Sequence, residues 1–249
     1  MARLDSHLDS SQGMTMVYRE TFEKDAGVWS CGKAAPDGDW HRNILRERGK
    51  AEPLAWSPAG GRHGGGFASS QSPWYFDDNH GEFMWLYLAF FINRSELAGL
   101  DGRDLRNARI DLSMRGHKFD ARGTELFFWI QGYACEDLPT RRFALNWALT
   151  SQPITRALLD GHWHDEAVHL VPDERQWRFM GHLNGGLARK IRVLQSLTFG
   201  EGTLDAILGG THINFGFLLC GVDQNDPPHG RIDLQEVAIF TPSSARTSQ

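Results

Sequence analysis

The chain has 249 residues, a formal net charge of −5 and an isoelectric point near 6.1, a balance that argues against nucleic acid as the main partner. Hydrophobic residues make up 41% and charged residues 23%, ordinary for a globular protein. The longest apolar run, Phe83–Ile92, is far below the ~20 residues of a membrane-spanning helix, so no membrane partner is expected. The first twenty residues lack an apolar signal core, which makes a cytoplasmic location the default expectation, with secretion open if a leader precedes this sequence. Cys31, Cys135 and Cys220 are odd in number and at no metal-binding spacing, which suits free thiols acting as small hydrophobes. Nine tryptophans, fifteen phenylalanines and twenty-seven glycines fit aromatic strands joined by glycine turns, the composition of a sandwich or barrel.

In chain order, residues 1–15 are polar and read as a frayed N-terminus. A single β-sandwich domain is expected over 16–241, with a tail at 242–249. Val17–Phe22 is the first candidate strand. Residues 26–66 are rich in Gly, Pro and charge and read as a long loop-rich segment, with a short element around Ile44–Arg48. Its "GGRHGGGF" stretch, Gly60–Phe67, lacks the Lys-Ser/Thr ending of a phosphate loop. Glu82–Asn93 is apolar on both faces. Arg109–Arg115, Thr124–Tyr133 and Arg142–Thr150 alternate at period two, with polar separators of hairpin length. Ile154–Leu159 suits one helical turn, and His164–Val171 and Trp177–Met180 are strands. Arg189–Leu197 is ambiguous between helix and strand. Thr203–Leu208 is a short helix with Thr203 as N-cap and Gly209 as its end.

Ile213–Phe240 organises the C-terminal part. Ile213, Phe215, Phe217 and Leu219 share one face of a strand and Asn214, Gly216, Leu218 and Cys220 the other. Arg231–Phe240 forms a second strand of less clean phase, and the acidic, Pro-containing Asp223–Gly230 links the two. Together these elements predict an all-β fold, a two-sheet antiparallel β-sandwich with one or two short helices. Phe128, Leu145, Phe217 and Leu219 are the expected core positions, since each lies on the more uniformly apolar face.

Trp163 with "VHLVPDERQW", then a short helix, "INFGFLLCG" and "GRIDLQEVAIF", resembles the second half of jelly-roll modules, namely galactose-binding-like carbohydrate-binding modules and the laminin IV-type domain. The similarity covers mainly residues 163–240. It implies a jelly-roll sandwich and a structural Ca²⁺ where the first and last strands meet, with Glu23 and Asp233 as candidate ligands. Calcium needs several converging oxygens. Glu236, in phase with apolar neighbours, needs a bulge, an Arg partner or a cation.

For function, Asp111, Arg115, Phe127, Trp129, Gln131 and Asn146 fall on the less apolar faces of their strands. If those strands are neighbours, they form one face of hydrogen-bonding groups and aromatic rings, the chemistry that a sugar requires. The leading expectation is non-catalytic binding of a carbohydrate or similar small polar ligand on the concave face. Trp129 and Phe127 would stack on the ligand, and the other four would bond its hydroxyls. One alternative is an enzyme acting on a glycan or small polar substrate in the same cleft, with Asp111, Glu125 or His164 as acid or base. No Gly-x-Ser-x-Gly elbow is present. A second alternative is a structural or assembly protein. His162 and His164 share a side of their strand while His169 takes the other, which favours surface histidines over a zinc site.

Overall fold

The computed structural model describes residues 13–32, 51–77, 86–132, 144–183, 202–223 and 225–243. In chain order its first strands are β1 (Met14–Glu20), β2 (Ser30–Gly32), β3 (Ala51–Pro53), β4 (Ala55–Ser57), β5 (Phe67–Gln71), β6 (Tyr75–Asp77) and β7 (Leu86–Arg94). There follow β8 (Ala108–Asp120), β9 (Glu125–Gly132), β10 (Ala144–Ala148), β11 (His164–Leu170), β12 (Arg178–Leu183), β13 (His212–Cys220) and β14 (His229–Pro242). Two 3₁₀ turns, Thr155–Leu158 and Glu174–Gln176, and a short helix α1 (Thr203–Ala206) lie between them.

These strands form two sheets, antiparallel throughout. In the first the order is β11-β8-β14-β5-β4, with β1 also paired to β14. In the second it is β12-β10-β9-β13-β7-β2-β3, with β6 on β7. The all-β, two-sheet fold is therefore as the periodicity predicts.

One continuous cluster of buried side chains draws on both sheets: Ile110, Leu112 and Met114 from β8 face Phe128, Phe215 and Phe217 from β9 and β13. All four expected core positions are buried in it. Trp29, from the loop before β2, stacks on Phe217 at 6.3 Å between centroids and meets Phe215 edge-on. This burial is the main stabilising term, because large aromatics remove the most apolar area from water.

The unclean phase of the last strand has a local cause. Leu234 pairs with Met114 and Glu236 with Ser113, so Gln235 is an extra residue opposite none, a β-bulge. The bulge lets Ile232 and Leu234 point inward before it and Val237 and Ile239 after it. Glu236 is thereby returned to the outer face, where Arg19 of β1 pairs with it at 2.9 Å. Both non-metal solutions expected for Glu236 are present together.

Several boundaries differ from expectation. Met14 and Thr15 are not frayed: they pair with Pro242 and Thr241, so the first and last strands extend into the expected terminal segments. Residues 26–66 contain β2, β3 and β4. Thr203 does not cap its helix. Gly202 occupies that position, and Thr203 Oγ1 instead accepts from Trp147 Nε1 at 3.0 Å. The helix runs on as a wider turn, Ile207–Thr211, that breaks at Gly210 with φ 132°, beyond Gly209. Arg189–Leu197 and Ile44–Arg48 lie outside the described residues. At Gly116 of β8 a Cβ atom would collide with Leu158 O, so only glycine lets the 3₁₀ turn close onto this strand.

The largest correction concerns neighbours. The expected site rests on the condition that β8, β9 and β10 are neighbours, and that condition is not met: β8 belongs to the opposite sheet. Residues 121–124 make a tight corner, with Arg122 and Gly123 both at positive φ, and carry the chain across the sandwich. A connection of hairpin length does not distinguish pairing from crossing.

Candidate functional site

The six candidate ligand residues accordingly divide into two groups. Phe127, Trp129, Gln131 and Asn146 lie on the outer face of the second sheet, while Asp111 and Arg115 lie on the outer face of the first.

On the second sheet, β10, β9, β13 and β7 bring four polar residues into register. Asn146 stands opposite Gln131, Gln131 opposite Asn214, and Asn214 opposite Arg94. Residues directly opposite share a face and touch. Gln131 Nε2 donates to Asn146 Oδ1 at 3.0 Å, and Asn214 Nδ2 donates to Gln131 Oε1 at 2.6 Å. Trp129 Nε1 donates to the same Asn146 oxygen at 3.1 Å. The row grades from buried Asn146 and Gln131 through half-buried Asn214 to exposed Arg94, which pairs with Glu96.

Alongside the row, Trp129 lies between Gly216 and Ala148, two residues too small to compete for the space over its ring. It is nevertheless only 1% exposed. The side chains that cluster with it are sheet neighbours: Phe127, Ala148, Met180, Leu218 and Cys220. Trp129 is thus a covered ring, not an open platform. Burial pushes the Cys220 thiol up to about 12, which keeps it protonated and unreactive.

On the first sheet the central feature is Asp233, 0% exposed. Arg115 Nε donates to its Oδ2 at 2.8 Å, Arg231 Nη2 to the same oxygen at 3.1 Å, and Arg231 Nε lies 2.7 Å from Oδ1. Arg115 is layered against Trp163 (4.6 Å to the ring centre) and Phe67 (5.4 Å), and Arg231 against Phe67 (5.8 Å). Flat guanidinium groups suit both tasks at once, in-plane bonding to a carboxylate and face contact with rings. Asp111 is held by Arg109 at 2.8 Å.

This arrangement revises the expected calcium site. Asp233 is already neutralised by two guanidinium groups, and Glu23 is an exposed residue of the turn after β1. Glu20 spends its Oε1 accepting from the backbone N–H groups of Thr21 and Phe22. Among the described residues, no group of three or more His, Cys, Asp or Glu side chains is arranged to hold a metal. His164 binds the Asp160 carboxylate through Nε2 at 2.8 Å. The backbone N–H of His162 and then the ring of His164 hold Asp160 below the usual carboxylate range.

One pair escapes sequence reasoning altogether. Ser95 and His212, 117 positions apart, are both fully buried, and Ser95 Oγ lies 2.6 Å from His212 Nδ1. His212 Nε2 faces the Arg103 carbonyl at 2.8 Å, which can only accept. The neutral ring therefore carries its proton on Nε2, and Ser95 donates to Nδ1. Burial lowers the His212 pKa. A serine with no exposed surface cannot meet a substrate, so the pair is a clamp that ties the loop after β7 to the start of β13.

No protein-family model matches this chain, and no curated protein matches it in sequence.

Proposed function

We propose that the protein binds a carbohydrate or a similarly hydroxyl-rich polar ligand without catalysis, and that the Arg94–Asn214–Gln131–Asn146 row is its recognition face, with the covered Trp129 holding the row in place through Asn146. The supporting observation is the row itself. Three amides in register, already linked donor to acceptor, present alternating groups at the spacing of neighbouring strands, and the Trp129 indole N–H donates to the innermost of them. Fixed amides of this kind supply the donors and acceptors that sugar hydroxyls need. The ligand would enter from the Asn214–Arg94 end, where the row meets solvent. On this reading Asp111 and Arg115 do not share the site. The jelly-roll type of sandwich belongs to the same proposal, since the two-sheet architecture is compatible with the modules that the sequence resembles.

A glycan array followed by calorimetry tests the reading. Asn214→Ala, at the half-buried end, is expected to leave the fold intact and weaken binding by about 1–3 kcal/mol through unmet hydrogen bonds. Trp129→Phe, which keeps a ring but removes the Nε1 donor, is expected to weaken binding and preserve folding. If no glycan binds the native protein, or if Asn214→Ala binds as well as the native chain, the row is only a second, polar-lined core.

A further inference from the structure

The outer face of the first sheet holds a second arrangement that the amide row does not use. The extra residue of the β14 bulge, Gln235, turns its side chain toward the Gly60–Gly66 loop, and its Oε1 accepts from Arg62 N at 2.6 Å. The loop is closed on itself by Gly61 N to Gly65 O at 2.9 Å and Gly64 N to Gly61 O at 3.0 Å. Its Arg62 side chain then pairs with Asp165 of β11, and Asp165 stands directly opposite Ser113 of β8. The glycine-rich loop is therefore strapped from β14 to β11, with Ser113 of β8 in the strand between them.

Within this strapped region, polar groups are left without partners. Ser113 is 8% exposed, and its Oγ has no hydrogen-bond partner. Trp163 is half-buried as a residue, but its indole Nε1 is enclosed and unbonded. Arg115, two residues along the same face from Ser113 and in contact with the Trp163 ring, hydrogen-bonds through Nε alone among the described residues. Its terminal nitrogens remain available to an acceptor. A hydroxyl, an indole N–H and a guanidinium edge are all donors, and a buried donor left unmet is costly. The charged side chains at this place are Arg19, Arg62, Arg115 and Arg231 against Asp165, Asp233 and Glu236, which stands opposite Ser113 and is held by Arg19, an excess of one positive charge.

We infer that this region is a binding site for a carboxylate, with Ser113 Oγ, Trp163 Nε1 and the outer edge of Arg115 as donors and the Gly60–Gly66 loop as its cover. One negative charge balances the excess, and two acceptor oxygens answer the orphaned donors in a way that a neutral hydroxyl does not. Arg62 would act from the loop as a latch, holding it closed through Asp165. The site lies on the opposite sheet from Trp129 and stands independently of the carbohydrate reading. The carboxylate could be carried by an acidic sugar or by a peptide.

Calorimetric titration with glucuronate, acetate, N-acetylglutamate, inorganic phosphate and the neutral methyl glucoside tests the assignment. Saturable binding of the carboxylates, not displaced by methyl glucoside, is the expected result. Glucuronate tighter than acetate and N-acetylglutamate points to an acidic glycan, and N-acetylglutamate tighter than glucuronate to a peptide. Trp163→Phe and Ser113→Ala each delete one donor while keeping the packing, and each is expected to weaken carboxylate binding about tenfold, the usual loss for a bond to a charged group. Trp129→Phe should leave this binding unchanged, which separates failure here from failure at the amide row. Absence of carboxylate binding, equal binding of phosphate, or full affinity in both Trp163→Phe and Ser113→Ala would overturn the inference.

Discussion

Phe217 and Asp233 are both fully enclosed, yet they stabilise the protein in opposite ways. Phe217 sits under the Trp29 ring and edge-on to Phe128 at 5.9 Å. Phe217→Ala is expected to cost about 3–5 kcal/mol in urea unfolding, through lost transfer energy plus the cavity left behind. Asp233 contributes by charge: Asp233→Ala would leave Arg115 and Arg231 facing each other across an apolar surround, and removal of one member of a buried ion pair costs roughly 3–5 kcal/mol. Asp233→Asn should recover only part of the loss, because an amide meets the hydrogen bonds but not the charges. The two residues also differ in how legible they were. The position of Phe217 follows from period two within nine residues. The partners of Asp233 do not: Arg231 is a near neighbour, but Arg115 is 118 positions away, and only strand register brings it there.

Single elements carry two features whose partners local sequence could not show. The first is the Ser95–His212 clamp between β13 and the loop after β7. Its histidine has a native pKa below the ordinary 6.5 because burial disfavours the charged ring. The unfolded chain therefore binds the proton more readily than the folded one. The clamp's contribution is fully present above pH ~6.5 and is lost as pH falls below that value toward the native pKa, by at most about 1.4 kcal/mol per pH unit. Thermal melts between pH 7.5 and 5 should show this decline, and His212→Gln should flatten it while lowering the starting stability. Asp104, lowered mainly by its hydrogen bond from Arg106, and Asp173, lowered to about 2 by Arg175, act only in more acid solution. The second feature is the bulge at Gln235. The sequence displayed it as a phase fault within Arg231–Phe240, and Glu236 as a carboxylate in an apolar register. That the extra residue fastens a glycine loop 173 positions earlier had no signature in the strand itself.

Across the whole molecule, the alternation of apolar residues was enough for the strands and the all-β class, because burial of one face is written locally. Assignment of strands to sheets was not, because four residues after β8 can either turn back or cross over. That single ambiguity placed Asp111 and Arg115 beside Trp129 in the expected site and separated them in the structure. It also bears on metal dependence. With Asp233 held by two arginines and Glu236 by Arg19, these carboxylates of the last strand are met by organic cations, one of them from the first strand. The melting temperature is accordingly expected to be indifferent to EDTA and to added Ca²⁺, and a chelator-sensitive melt would show a cation that binds the native state.

The order of strands in the first sheet also sets a timetable. β14 follows every other described strand in sequence, yet β1, β5 and β8 all hydrogen-bond to it. A ribosome adding about 5–20 residues per second needs roughly 10 to 45 s between finishing β1 and finishing β14. Until β14 emerges, β1 and β5 lack their central neighbour once made, and β8 has only β11 to pair with after that strand follows it. Unpaired edges of this kind recruit other strands. The nascent chain is therefore expected to gain from chaperone cover until its own last strand arrives.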